Sequence, residues 1–376
     1  MATWGNGSAT LVKYSCSRLQ TSPQAFEAPH CFDSDYVNHF RGILGLDNLS
    51  EILPYYPYFA PSERLNRRSW TTLAFSSMKT PYLEHFGLVE EPYSTSPNPR
   101  YLYVSPTHNL ALEKTKWTIA AKKGLALCFG PVGTGKTTLA RELAQRIEDD
   151  PEVSYVFITN PNFPTPNQLL RAIIQEFEVP QTSKSYLDLL NIFKNYLMTQ
   201  AIRDGKTLVL IIDEAQTLKA PLLELLRQLM NYESNDQKFL QVVLFAQEEF
   251  RTRLHQPRFR NLVNRTAMSS TLDNLSPAET AAMLKHRWLI AGGKEFPFTD
   301  AAVDQLYSYS QGIPRTQVIL ADNALLAAFI QGDKTIGPEL IAQVVEDRGL
   351  PDTEPLPPPA IRKHVGRATT SARRKA

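Results

Sequence analysis

The stretch 130-GPVGTGKTTLA-140 decides how the chain is read. Gly130–Thr137 fits G-x-x-x-x-G-K-[ST] in full. The apolar run LALCFG (125–130) precedes it and the helical run TTLARELAQRI follows, which is the context this motif needs. Its glycines let backbone N–H groups turn inward around a β-phosphate. Gly130, Pro131, Val132, Gly133, Thr134, Gly135, Lys136, Thr137 and Thr138 are therefore the candidate nucleotide-binding residues. Lys136 is expected to reach the β- and γ-phosphates. The Thr137 hydroxyl is expected to ligand Mg²⁺. The helix that starts at Lys136 adds a partial positive charge at the same place.

A phosphate cradle of this kind needs an acid at the end of a buried strand. TLVLIIDEAQ supplies one: five apolar residues, Leu208 to Ile212, run into Asp213 and Glu214. Asp213 is the expected second Mg²⁺ ligand. Glu214 is the expected water-activating group, the positioning role that phosphoryl transfer to water requires. Gln247 closes the apolar stretch QVVLFAQ and is placed to touch the γ-phosphate or the attacking water. Arg258, Arg260 and Arg265 precede the last apolar stretch, where an arginine faces the nucleotide of a neighbouring subunit. Arg265 is the first choice, being nearest the strand. Arg315, in QGIPR, is expected to fold over the γ-phosphate.

Five strands are read outward from the cradle: 125–130, 154–159, 207–213, 241–246 and 266–272. Helices start at Lys136, at Thr165–Pro166, near Ser185 and at Ala220–Pro221. Proline suits the first helical turn, where a missing N–H costs nothing. Strands alternating with helices imply a parallel sheet covered on both faces. The residues between cradle and acid pair separate their strands, giving an expected order of 5-1-4-3-2. Beyond residue 274 the pattern is helical only. Ser276-Pro277-Ala278-Glu279 is a capping box, and Thr299 and Gly337-Pro338 mark two further starts. The expected fold is α/β, a five-stranded parallel sheet followed by a small all-helical lid.

Four regions result: an aromatic- and proline-rich extension (1–80), the α/β domain (81–273), the helical lid (274–348), and a proline-rich then basic tail (349–376). The 376 residues carry a net charge of +2, too little to argue for nucleic acid. No apolar run approaches the roughly 18–20 residues of a membrane span, and no signal peptide is read at the start. Cys16, Cys31 and Cys128 form no disulfide or metal-ligand pattern, so a cytoplasmic setting is expected. Arg171, Lys184 and the tail residues Arg362, Lys363, Arg367, Arg373, Arg374 and Lys375 are candidate DNA contacts.

Together these features resemble the AAA+ ATPases. The resemblance narrows over YLEHFGLVEEPYSTSPNPRYLYVSPTHNLALEKTKWTIAAKKG (82–124), which looks like the opening of the ExeA-like ATPases. That family includes the TnsC transposition regulators and is related to TniB and MuB. IIDEAQTL, VVLFAQEEFRTRL, LDNLSPAETAAMLKHR and SQGIPR continue the match over about residues 82–348. The resemblance implies Mg²⁺-dependent ATP hydrolysis. On its TnsC-like branch it implies a homo-oligomeric ring or filament on double-stranded DNA, linking a target-selecting protein to a transposase. ExeA-type secretion ATPases carry a membrane span and a peptidoglycan-binding domain after the ATPase. Neither is read here, so the TnsC-like branch and no membrane partner are expected. The alternatives are a secretion-associated ATPase and an ATP-binding scaffold with little turnover.

Overall fold

The computed structural model describes residues 80–181 and 183–348. The aromatic cluster of the extension and the basic tail lie outside the described residues. The α/β part comprises α2 (Pro106–Ala120), β1 (Leu125–Phe129), α3 (Lys136–Glu148), β2 (Val153–Ile158), α4 (Pro166–Glu176), α5 (Tyr186–Met198), β3 (Thr207–Ile212), α6 (Ala220–Leu229), β4 (Leu240–Ala246), α7 (Glu248–Leu254), α8 (Arg260–Val263) and β5 (Thr266–Thr271). It is preceded by the short helix α1 (Tyr82–Phe86). All five expected strands are present, with ends shifted by no more than a residue. They form one parallel sheet in the order β2-β3-β4-β1-β5, the order expected from the sequence.

β1, β3 and β4 are buried on both faces, so their side chains alternate between two cores with the period of two that strands impose. Leu125, Leu127, Phe129, Leu208, Leu210, Ile212, Val242 and Leu244 face the layer of α4, α5 and α6. Ala126, Cys128, Val209, Ile211, Val243 and Phe245 face α2 and α3. Because every strand is parallel, the carboxyl ends lie along one edge. Phe129 is paired with Ala246 and with Thr271, and Ile212 with Leu244. Gly130, Asp213 and Gln247 each follow directly on these last strand residues, so the sheet delivers all three to one crevice.

The helical part is α9 (Pro277–Ile290), α10 (Asp300–Ser310), α11 (Pro314–Gln331) and α12 (Pro338–Asp347). The capping box forms as read: Ser276 Oγ accepts from the Glu279 N–H, and Glu279 returns a bond to the Ser276 N–H at 2.8 Å. Thr299 caps α10 by accepting from the Ala302 N–H at 3.1 Å. One boundary differs from the sequence reading. Tyr82, Leu88, Tyr93 and Tyr101, drawn into the α/β domain at residue 81, share their core with Leu284, Trp288, Leu306 and Ala321 of the lid. These aromatics lie before the first strand, and no periodic pattern marks the helices they cover.

The turn between α10 and α11 lies against the linker that leads from the sheet. Leu275 N–H donates to Gly312 O at 2.8 Å. Gly312 has φ +75°, and a Cβ there would lie 2.1 Å from Leu275 O. Gly332, which ends α11, has φ +78° with nothing within 4 Å. The two glycines separate the cost of conformation from that of crowding. Gly332→Ala is expected to destabilise by about 1 kcal/mol, the left-handed penalty alone. Gly312→Ala is expected to cost more than about 2 kcal/mol, with both read from denaturant unfolding midpoints.

Candidate nucleotide-binding site

The loop from Gly130 to Gly135 leaves β1 and enters α3 with two residues in the left-handed region, Gly133 (φ +83°) and Gly135 (φ +94°). A Cβ on Gly130 would sit 3.0 Å from both Leu272 O and Thr134 Oγ1. The glycines are thus required by backbone geometry and by space, and they leave backbone N–H groups open to a polyphosphate. Lys136 is only 6% exposed. Its Nζ donates to Gly130 O at 2.9 Å and to Pro131 O at 2.7 Å. Burial lowers the ammonium's pKa, while the nearby Glu214 and Asp213 carboxylates oppose the shift.

Thr137 and Asp213 meet as the spacing predicts. Thr137 Oγ1 donates to Asp213 Oδ2 at 2.5 Å, and Asp213 Oδ1 accepts from the Glu214 N–H at 2.9 Å. Burial raises the Asp213 pKa, and the Thr137 hydroxyl pulls it back. A hydroxyl and a carboxylate within reach of a phosphate loop form the oxygen-only donor set that Mg²⁺ takes, with phosphates and water completing the shell.

Glu214 has φ +52°, a position a non-glycine residue occupies only when its surroundings hold it. Its carboxylate accepts from Gln216 Nε2 and, at 3.4 Å, from Gln247 Nε2. The Gln247 N–H donates to Gln216 Oε1 at 3.2 Å. Gln216 therefore ties the acid of β3 to the end of β4. Arg253 fixes the turn from behind, donating to Gln216 O at 2.9 Å and Leu218 O at 2.7 Å. Gln216 and Arg253 escaped the sequence reading because neither belongs to a spacing that carries chemistry.

The lid closes the crevice. The Arg315 N–H donates to Gly133 O at 3.2 Å. A Cβ on Gly133 would lie 2.9 Å from Ile313 Cγ2 and 3.1 Å from Arg315 Cβ, so the glycine also makes room for the lid. The cleft is lined by Val132–Thr138, Glu214, Gln247 and Arg315, and on its far side by Ser94–Pro97, Tyr101, Met283 and Arg287. The latter residues were missed. Arg287 donates to Tyr101 O at 3.2 Å and Ser94 O at 3.1 Å, binding the segment before the sheet to the lid.

The structure does not bring Arg265 to this cleft. It immediately precedes Thr266, which is paired with Leu125 at the amino end of β1, four residues or about 13 Å of strand from the cradle. Its charge is felt by Glu224 and Glu233. Arg258 stacks on Phe259, 4.7 Å from the ring centre, and Arg260 is exposed. Arg171 is partly buried on α4, and Lys184 is exposed ahead of α5.

Comparison with known proteins agrees with this geometry. Residues 119–254 match the model of an AAA domain. The chain is 39% identical over 256 residues to General secretion pathway protein A of Aeromonas hydrophila, a match covering 68% of this chain and 46% of that protein. It thus spans less than half the length of this curated relative. Among solved structures, the Aeropyrum pernix ORC2 protein (ADPNP–ADP complexes) aligns at TM-score 0.53 and 17% identity, covering 68% of this chain and 71% of that one. The Aeropyrum pernix ORC1 protein in complex with DNA aligns at TM-score 0.50 and 16% identity, covering 67% and 70%. The fold is that of the AAA+ ATPases.

Lys136→Ala is expected to abolish binding of ATP, since it removes the one buried cation of the cradle. Glu214→Gln is expected to bind ATP and lose hydrolysis by about 100-fold or more. Titration of a fluorescent ATP analogue and phosphate release check the pair. Unchanged phosphate release in Glu214→Gln would exclude this carboxylate as the water-activating group.

Proposed function

We propose that the protein hydrolyses ATP in this cleft and uses the nucleotide as an assembly switch between copies of itself. The observation that carries the reading is the 2.5 Å contact of Thr137 with Asp213 beside the buried Lys136, with Glu214 next in the chain. Mg²⁺, held by Thr137, Asp213 and the phosphates, would supply charge neutralisation. Lys136 turns its ammonium from the loop carbonyls to the phosphates. Glu214, oriented by Gln216 and Gln247, accepts a proton from the attacking water. Arg315 lies over the phosphate end of the cleft.

The second copy enters through Arg265. It cannot serve its own cradle from the opposite end of the sheet, so it is assigned to the cradle of a neighbour, with Arg260 and Arg258 next in order. Each site is then complete only within an assembly.

Two uses of the switch are proposed. In the first, the protein is a TnsC-type regulator of DNA transposition, assembling on double-stranded DNA and linking a target selector to the transposase. The motif resemblance supports this use, as does the DNA-bound state of ORC1, a protein of the same fold. In the second it is a secretion-associated ATPase, which the 39% identity to the Aeromonas hydrophila protein favours. No helix among the described residues is long and apolar enough to cross a membrane.

Arg265→Ala is expected to bind ATP but not hydrolyse it, and mixing it with Lys136→Ala is expected to restore part of the activity at mixed interfaces. Absence of rescue between two folded variants removes Arg265 from the role. Duplex DNA distinguishes the two uses. Turnover and ring or filament formation stimulated by DNA with ATP support the first. Turnover indifferent to DNA, with stable recovery in the cell-envelope fraction, supports the second.

A further inference from the structure

Beside the phosphate loop, among the residues lining the cleft, lies a histidine to which the sequence reading gave no role. His108 sits in the first turn of α2, 2% exposed. Its Nε2 is 3.0 Å from Thr134 O, and its Nδ1 is 2.6 Å from Ser105 Oγ. A carbonyl oxygen can only accept, so Nε2 carries the proton. Nδ1 of the neutral ring then accepts from the Ser105 hydroxyl. Burial holds the ring's pKa below its ordinary value, in keeping with this neutral form.

The Thr134–Gly135 peptide is trans, so its C=O and N–H point to opposite sides. Anchoring the carbonyl on His108 turns the Gly135 N–H to the side away from the histidine, and Gly135 also lines the cleft. No acceptor among the described residues takes that N–H. A Cβ on Gly135 would lie 3.3 Å from His108 Nε2, inside comfortable contact. The histidine and the missing side chain therefore fit each other. Thr134 is held from a second direction, its Oγ1 donating to Pro131 O at 2.9 Å.

We propose that His108 is a positioning residue for nucleotide binding, holding the Thr134–Gly135 peptide so that the Gly135 N–H meets the β-phosphate of the bound nucleotide. The inference rests on the ATP reading above. It assigns α2 a part in the affinity of the cleft, exerted through the Thr134–Gly135 peptide.

The test compares wild type, His108→Phe and His108→Gln in the full chain, with thermal unfolding measured on each. Phenylalanine keeps the ring volume and removes the donor. Glutamine offers an amide N–H at a similar reach. His108→Phe is expected to raise Kd for Mg·ADP and KM for ATP by about 10- to 100-fold, the loss of one charge-assisted hydrogen bond. The loss should fall on KM far more than on kcat, and His108→Gln should recover most of the affinity. If His108→Phe does not fold, His108→Met removes the same donor with an adaptable side chain. A folded donor-less variant that binds Mg·ADP like wild type overturns the proposal. So does a loss confined to kcat, or a His108→Gln variant as impaired as His108→Phe. Failure of wild type to bind either nucleotide would instead sink the ATP reading and this inference with it.

Discussion

An ammonium group nearly out of reach of water governs this structure. Lys136 Nζ is held by two carbonyls of its own loop, and a buried cation with so little compensation is costly. The surroundings are arranged around that cost. Asp213 and Glu214 stand close enough to oppose the fall in its pKa, and three of the six loop residues beside it are glycines. The strand before the loop, the helix after it and the acids opposite together enclose this one ammonium.

That arrangement depends on parallel strands ending in register. β1 lies between β4 and β5, neither of which is its neighbour in sequence. Gly130, Asp213 and Gln247 come together because three neighbouring parallel strands end along one edge, β1 and β4 in register and β3 two residues earlier. Gln216 then joins the acid of one strand to the end of the next, and Arg253 holds that turn from the helix beyond. Glu214 is kept in an unfavourable backbone region by these bonds, so its carboxylate is placed by hydrogen bonds from Gln216 and Gln247.

The lid is joined to the cradle by contact as well as by chain. Gly133 bonds to Arg315 and has no room for a side chain beneath Ile313. Arg287 ties the segment before the sheet to the same lid. Arg265 lies a strand's length away, at the opposite end of the sheet.

The local part of this design was legible in the sequence. The cradle, the five strands, the acid pair and the helix starts at Lys136, Pro166, Ser185, Ala220, Ser276, Thr299 and Gly337 follow from spacing, apolar period and capping residues, all short-range properties of the chain, whereas the short helices at Glu248 and Arg260 were not read. Asp213 and Thr137 could be paired from 76 positions apart because one motif demands the other. What the tertiary structure alone decided is of another kind. His108 reads as an ordinary residue after a Ser-Pro cap, and only the fold sets it against Thr134. Arg253 and Arg287 act on backbone carbonyls, which every residue has, and Gln216 joins a carboxylate to a backbone N–H, so no residue-type pattern announces them. Tyr82, Tyr93 and Tyr101 precede the sheet in the chain yet pack with helices some two hundred positions later. Contacts that recognise shape and backbone, separated so far along the chain, leave no mark on local periodicity.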